Sequence, residues 1–316
     1  MIKLLANDGI DASGKKMLEA AGFDVITTKV EQADLANYIN QNSISALTVR
    51  SATKVRKDII DTCPGLKLIG RGGVGMDNID VEYAREKGIK VVNTPAASSQ
   101  SVAELVIAHM FSMARFLHLS NREMPAKGAL EFNTLKKIYS EGIELKGKSI
   151  GIIGFGRIGQ AVAKYTIGLG MRVYAYDPYI TNASIKINFF DGSSKEFLIT
   201  STPINDFIGQ CDFITLHVPG GEVIGEKEIA LMKDGVMLIN TARGGVINET
   251  ALLNALNSGK IAGAALDVFN NEPTPDTTLL THPKISLTPH TGASTKEAQL
   301  RIGVELAELI IQHFKN

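Results

Sequence analysis

Four polar residues each follow a short apolar run. Arg243 closes "GVMLINTAR", Asp267 and Glu272 lie in and just past "AGAALDVFNNEP", and His290 ends "KISLTPH". Histidine is the side chain that exchanges a proton near neutral pH. A carboxylate beside it stabilises the imidazolium and fixes the ring. Arginine offers a planar donor fork that can hold a carboxylate and polarise a carbonyl. Alone, each would be read as structural. If the apolar runs are strands of one parallel sheet, all four emerge at its carboxyl edge, where such sheets bind ligands. The combination suits proton transfer at an oxygen whose carbon gains or loses a hydride.

The source of that hydride is written earlier in the chain. "KSIGIIGFGRIGQAVAK" contains Gly154, Gly156 and Gly159 in the G-x-G-x-x-G spacing. A buried strand precedes it and an Ala-rich helix follows, the context that gives this otherwise weak motif its meaning. Gly154 permits the tight turn, Gly156 lets a pyrophosphate approach the backbone, and Gly159 lets the helix pack on the sheet. The helix N-terminus offers free N–H groups and a positive dipole end. The next strand ends at Asp177. Its carboxylate can accept hydrogen bonds from ribose hydroxyls and would repel a 2′-phosphate, so the expected cofactor is NAD rather than NADP.

These residues need a sheet to position them, and the chain alternates strand and helix throughout. "IKLLAN", "FDVITT", "ALTVR", "LKLIGRGG" and "IKVVNTP" read as strands, with "SGKKMLEAAG" and "VEYAREKG" as helices ending at glycine. A second alternation starts at residue 148 with "KSIGIIGFG", "MRVYAYD", "DFITLHVP", "GVMLINTA", "IAGAALDV" and "KISLTPH". The pattern predicts an α/β protein with parallel, doubly wound sheets. Between the alternations, Ser101 and Glu104 have capping-box spacing, which predicts one long helix from Ser101 through "VAELVIAHMFSMARFLHL". His109 and His118 read as packing or surface residues within it. The polar stretch 121–147 reads as a partly helical connector that could serve a subunit contact. Asp191-Gly192, flanked by alternating residues in "SIKINFFDGSSKEFLIT", predicts a hairpin where a helix would be expected. Ser294 and Glu297 predict a capped helix running to Phe314.

Bulk composition fits this reading. The chain has 316 residues, too many for one ordinary core, so two domains are expected. Lys+Arg and Asp+Glu number 33 each, which disfavours non-specific binding to nucleic acid or to a membrane surface. Cys63 and Cys211 stand in no metal-ligand spacing and read as free thiols. The N-terminus lacks a secretory pattern and no segment is long and apolar enough to span a bilayer, so a cytoplasmic protein is expected.

The motifs "GFGRIG", "NTARGG", "DVFNNEP" and "TPHTGAST" together resemble the D-isomer-specific 2-hydroxyacid dehydrogenase family along nearly the whole chain. The resemblance implies two Rossmann-like domains with the active site in the cleft between them. The outer, substrate-binding domain would comprise 1–97 plus 291–316, and the NAD-binding domain 98–290. It implies Arg243 as the substrate-binding arginine, Glu272 as the carboxylate partner, His290 as the acid/base, and Asp267 as a contact to the nicotinamide amide. Further cofactor contacts would be Arg157, Ile158, His217, Val218, Pro219, Thr241, Ala242 and Gly292. "VRSATKV" and "LKLIGRGGVGMDNID" look like outer-domain loops of D-3-phosphoglycerate dehydrogenases. On that resemblance Gly72, Gly73 and Val74 would form an N–H nest for the substrate carboxylate. Arg50, Ser51 and Lys54 would face a second anion, such as a phosphate. No metal is implied, and a homodimer through the NAD-binding domain is expected.

The hairpin and the short "HVPGGEVIG" loop depart from the family pattern on the adenine side. The chain ends soon after His290, so the appended regulatory domains of longer phosphoglycerate dehydrogenases are expected to be missing. The expected reaction is NAD-dependent oxidation of D-3-phosphoglycerate. The alternatives are another D-2-hydroxyacid dehydrogenase, acting on glycerate, lactate or glyoxylate, and a corepressor-like scaffold that senses the dinucleotide. A formate dehydrogenase is disfavoured by Glu272, where the similar enzymes carry Gln.

Overall fold

The structure, a computed structural model, describes residues 1–315. The chain divides into two compact units. One contains Met1–Ser101 and the segment from Ala293 onward; the other is Val102–Gly292.

The first unit carries a 5-stranded parallel sheet of β1 (Ile2–Ala6), β2 (Phe23–Ile26), β3 (Ala46–Val49), β4 (Leu68–Arg71) and β5 (Lys90–Asn93), in the order β2-β1-β3-β4-β5. Its strands are apolar on both faces. Leu5, Leu47 and Ile69 feed one core, and Leu4, Ala46 and Leu68 feed the other. The helix Lys296–Lys315 returns to this unit and crosses the helix Ala12–Ala20. A Cβ on Gly14 would lie 2.3 Å from the Gly303 carbonyl oxygen, so glycine is what allows the crossing.

The second unit has a 6-stranded parallel sheet of β6 (Ser149–Ile153), β7 (Arg172–Tyr176), β10 (Phe213–Leu216), β11 (Val236–Asn240), β12 (Ile261–Leu266) and β13 (Ile285–Leu287). The order is β13-β12-β11-β10-β6-β7. Phe213 packs into one core and Ile214 and Leu216 into the other, so this sheet too is covered on both faces. In both units the first strand lies between the second and the third. That reversal opens a crevice at the strands' carboxyl ends, between β1 and β3 and between β6 and β10.

The Asp191-Gly192 signal holds. β8 (Asn182–Asn188) and β9 (Ser194–Thr200) form an antiparallel pair, with Gly192 at φ 83° in the turn. Both capping-box readings are corrected. The first long helix begins at Ser99, not Ser101. Ser101 is buried inside it, and its hydroxyl pairs with Thr295 Oγ1 at 2.8 Å rather than capping. That helix stops at Ala114, because Phe116 takes a left-handed φ of 54°; a second helix, Leu117–Ile138, leaves at 58°. The terminal helix is capped by Thr295, whose hydroxyl accepts the Ala298 N–H, and not by Ser294. No single helix among the described residues is long and apolar enough to cross a membrane. Cys63 and Cys211 are both buried free thiols, pushed by burial to about 11 and about 12 respectively.

Candidate active site

The dinucleotide fingerprint sits at the β6/β10 crevice. Gly154 follows β6 with φ 91°, and a Cβ there would lie 2.5 Å from the His217 carbonyl oxygen, just past β10. Gly159 lies in the first turn of the helix Arg157–Gly168, where a Cβ would meet the Gly154 carbonyl oxygen at 2.3 Å. Gly156 differs from both. A Cβ there would meet nothing within 4 Å, so the space in front of it is open. No side chain caps this helix, which leaves the first-turn N–H groups, Arg157 and Ile158 among them, pointing out of the helix end.

The surrounding residues fit a dinucleotide. His217 and Thr241 follow the neighbouring strands β10 and β11, and each has a buried polar atom with no partner, Nδ1 and Oγ1. His217 Nε2 lies 3.1 Å from Thr215 Oγ1, and burial pushes its imidazole down to about 3. Unpartnered buried polar atoms are uncommon, and two side by side at a strand edge mark a place for ligand contacts. Val218 and Pro219 continue outward from His217, and Ala242 is buried beside Thr241. Asp177 closes β7. Its Oδ2 accepts the Phe155 N–H at 2.8 Å and its Oδ1 those of Tyr179 and Ile180, so the carboxylate also braces the Gly154–Gly156 turn.

Two strands further along the sheet, His290 and Glu272 come together. His290 Nδ1 lies 2.7 Å from Glu272 Oε2, and Glu272 Oε1 accepts the Phe269 N–H at 2.9 Å. A carboxylate can only accept, so Nδ1 carries the proton and Nε2 is left for other chemistry. His290 adopts a left-handed φ of 53°. Its N–H donates to the Asp267 carbonyl at 2.8 Å, which ties the turn to the end of β12. Arg243 follows β11, and its Nη1 donates to the Ala242 carbonyl at 2.6 Å. The two glycines after it are needed: a Cβ on Gly244 would lie 2.0 Å from the Phe269 carbonyl oxygen.

Asp267 departs from expectation. It is 1% exposed, and its carboxylate accepts three bonds from within the protein: Thr288 Oγ1 at 2.6 Å, Thr291 N–H at 2.8 Å and Gly292 N–H at 2.9 Å. It thus winds the turn around His290 rather than presenting an oxygen to a nicotinamide amide, and the Gly292 amide is likewise engaged. Behind it lies a residue that the sequence reading passed over. His109 is buried, with Nε2 3.1 Å from Thr288 Oγ1 and Nδ1 3.0 Å from Ser286 Oγ. Nothing local flags this, because its partners are 177 and 179 positions away.

In the first unit, the expected N–H nest is not available as a whole. The Gly72 N–H donates to the Val49 carbonyl and the Gly73 N–H to Thr94 Oγ1, which leaves only Val74 of the three. The Arg71 guanidinium lies over Gly73, where a Cβ would meet its Nη1 at 1.5 Å. The Arg50 loop is wound on Asp8, whose carboxylate accepts the Arg50 and Thr53 N–H groups, Thr53 Oγ1 and Lys29 Nζ. Burial opposes the charge on Asp8, but these donors outweigh it and hold its pKa below the usual carboxylate range. Arg50 and Ser51 line a shallow depression at the β1/β3 crevice together with Lys29. Lys54 does not line it. Its backbone N–H and carbonyl pair with the Gln32 side chain, and the cation that shares the depression with Arg50 and Ser51 is Lys29, itself paired with Asp8.

Residues 107–292 match the family model described as D-isomer specific 2-hydroxyacid dehydrogenase, NAD binding domain. The chain is 44% identical over 317 residues to a D-3-phosphoglycerate dehydrogenase of Methanocaldococcus jannaschii, covering 98% of this chain and 57% of that protein. It is 42% identical over 315 residues to a hydroxypyruvate reductase of Thermotoga maritima, covering 97% and 96%. The chain therefore spans little more than half the length of the first relative and nearly all of the second. A D-lactate dehydrogenase structure from Aquifex aeolicus, complexed with NAD and lactic acid, superposes with a TM-score of 0.74 at 28% identity, covering 99% of this chain and 95% of that one.

Proposed function

From the premise that this chain belongs to the D-isomer-specific 2-hydroxyacid dehydrogenase family and carries its NAD-binding domain, we propose that it interconverts a D-2-hydroxy acid and the corresponding 2-oxo acid. Bound NAD supplies the hydride acceptor or donor. The carrying observation is the His290–Glu272 pair at 2.7 Å. In the oxidative direction His290 Nε2 takes the hydroxyl proton, and in reverse it returns a proton to the alkoxide oxygen. Glu272 holds Nδ1–H and stabilises the imidazolium. Arg243 holds the substrate carboxylate and polarises the carbonyl.

Within that reaction class, we propose D-3-phosphoglycerate as the substrate and serine synthesis as the setting. The support is Arg50. Its guanidinium makes no ion pair among the described residues, and it lines a depression shared with Ser51 and Lys29. The similarity to a hydroxypyruvate reductase over almost its whole length supports a second reading, reduction of an unphosphorylated 2-oxo acid. A panel of 2-oxo acids with NADH separates the two. Fastest turnover of 3-phosphohydroxypyruvate supports the first, fastest turnover of hydroxypyruvate or glyoxylate the second, and no turnover of any of them rejects both in favour of a dinucleotide-binding scaffold.

We also propose a homodimer through the second unit. Leu117, Leu130, Phe132 and Ile138 are exposed on the helix Leu117–Ile138, and Phe111 on the helix before it. Several exposed apolar side chains along one helical segment support a partner surface there. Light scattering on the full chain should give twice the chain mass, and Leu130→Glu should reduce it.

A further inference from the structure

We propose that His109 is a positioning residue for His290, acting through Thr288 and Asp267. This rests on the reading of His290 as the acid/base and extends it to a side chain outside the site.

The geometry fixes the direction of every bond in the relay. The Asp267 carboxylate only accepts, so the Thr288 hydroxyl donates to Oδ1 at 2.6 Å. With its one hydrogen committed, Thr288 Oγ1 must accept from His109, so His109 Nε2 carries the proton across 3.1 Å. Neutral His109 then has Nδ1 as an acceptor, and Ser286 Oγ at 3.0 Å donates to it. Ser112 Oγ, 3.3 Å from Ser286 Oγ, donates in turn. The donors run one way, from Ser112 through Ser286, His109 and Thr288 to Asp267. At that end the same carboxylate receives the Thr291 and Gly292 N–H groups, and the Asp267 carbonyl receives that of His290.

Burial makes the relay stiff. His109 is 4% exposed and burial pushes it down to about 4, so it stays neutral and keeps one tautomer near neutral pH. A buried polar chain with every member satisfied holds one arrangement, whereas removal of a middle member leaves unpaired groups on both sides. His290 needs such support, because a left-handed φ in a non-glycine residue persists only where its surroundings hold it.

The test compares wild type with His109→Leu, Thr288→Val and His109→Gln. Leucine keeps the bulk and removes both ring nitrogens. Valine keeps the Thr288 shape and removes its hydroxyl. Glutamine retains an N–H donor for Thr288. In ¹⁵N-histidine-labelled protein, His290 should give a sharp Nδ1–H signal in wild type and in His109→Gln, broadened or shifted in the other two. This readout is independent of substrate. In turnover of the best 2-oxo acid with NADH, His109→Leu and Thr288→Val should lower kcat by about 10-fold, as loss of orientation at a proton donor does, with the KM for NADH within about twofold of wild type. His109→Gln should recover most of kcat. Unchanged His290 signals and unchanged kcat in His109→Leu would overturn the proposal. Wild-type protein that turns over no 2-oxo acid would instead sink the proposed reaction, while the labelled spectra still decide whether His109 positions His290.

Discussion

Glu272 grips His290 with one carboxylate oxygen while the other is fixed by the Phe269 N–H, at 2.7 Å and 2.9 Å. The second bond makes Glu272→Gln informative. The Phe269 N–H requires an acceptor, so the amide oxygen stays on it and the NH₂ turns toward Nδ1. His290 must then accept at Nδ1 and carry its proton on Nε2, the form that cannot take a proton from a 2-hydroxy acid. Oxidation in the Gln variant should fall by about 10²-fold or more, as expected when an orienting carboxylate is replaced by an amide. Steady-state kinetics in the oxidative direction read this, and a loss below threefold would contradict the bond assignment.

His290→Ala removes the proposed proton donor but leaves the Gly154–Gly159 turn and the β10 and β11 edges in place. NADH affinity, measured by fluorescence of the bound cofactor, should stay within about twofold, while turnover falls by about 10²- to 10⁴-fold. The chain has no tryptophan, so protein background in that titration is low. A variant that reduces substrate at near wild-type rate would show that the proton comes from elsewhere.

Asp177, the proposed ribose contact, is tied to the glycine turn, because it accepts the N–H of Phe155, the residue between Gly154 and Gly156. Asp177→Ala should weaken NADH binding by about 10-fold, the loss expected for a charge-assisted pair. Relative use of NADPH should improve, since no carboxylate remains to repel the 2′-phosphate. Initial rates with each cofactor at matched concentration test this. Wild-type preference for NADPH would be inconsistent with the reading, as would unchanged selectivity in the variant.

His109 also makes stability depend on pH. Burial lowers its pKa from 6.5 to about 4 in the folded protein. The unfolded chain therefore binds a proton below pH 6.5 that the folded protein does not bind until near pH 4. Its contribution is fully present above pH 6.5 and is lost as pH falls toward 4, a change on the order of 3 kcal/mol. Urea unfolding at pH 7.5 and pH 5 should give wild type the larger loss and His109→Leu the smaller. Equal losses would mean that His109 is not held neutral.

Much of the scaffold is legible in the sequence, and the rest fails for identifiable reasons. The β-rich runs bounded by glycines and the Asp191-Gly192 turn are local signals, and the strands and hairpin appear where those signals lie. Helix ends compete with tertiary contacts. Ser101 has the spacing of a cap, but its hydroxyl is drawn to Thr295, 194 positions away, and the apolar run past Ala114 conceals the left-handed Phe116. The Gly72–Gly73 pair looks like a nest because sequence does not reveal that Val49 and Thr94 already accept its N–H groups. His290 and Glu272 stand out through residue type and strand-end placement. His109 does not, because its partners Ser286 and Thr288 reach it only when its helix packs beside β13.

The substrate prediction rests on Arg50. Arg50 is half-buried and makes no ion pair among the described residues, whereas Lys29 beside it is neutralised by Asp8 at 2.6 Å. A phosphate at the β1/β3 crevice would supply the missing charge, with the Arg50 fork binding two of its oxygens and the Ser51 hydroxyl able to bind a third. Arg50→Ala should therefore raise the KM for 3-phosphohydroxypyruvate by about 10-fold or more, the weight of a charge-assisted contact, and leave that for hydroxypyruvate nearly unchanged. Lys54→Ala should change either KM by less than about twofold, because Lys54 does not line the depression and exposed charges contribute little. If wild type handles hydroxypyruvate and its phosphate with equal kcat/KM, Arg50 selects no phosphate and the chain is better read as a dehydrogenase of unphosphorylated D-2-hydroxy acids.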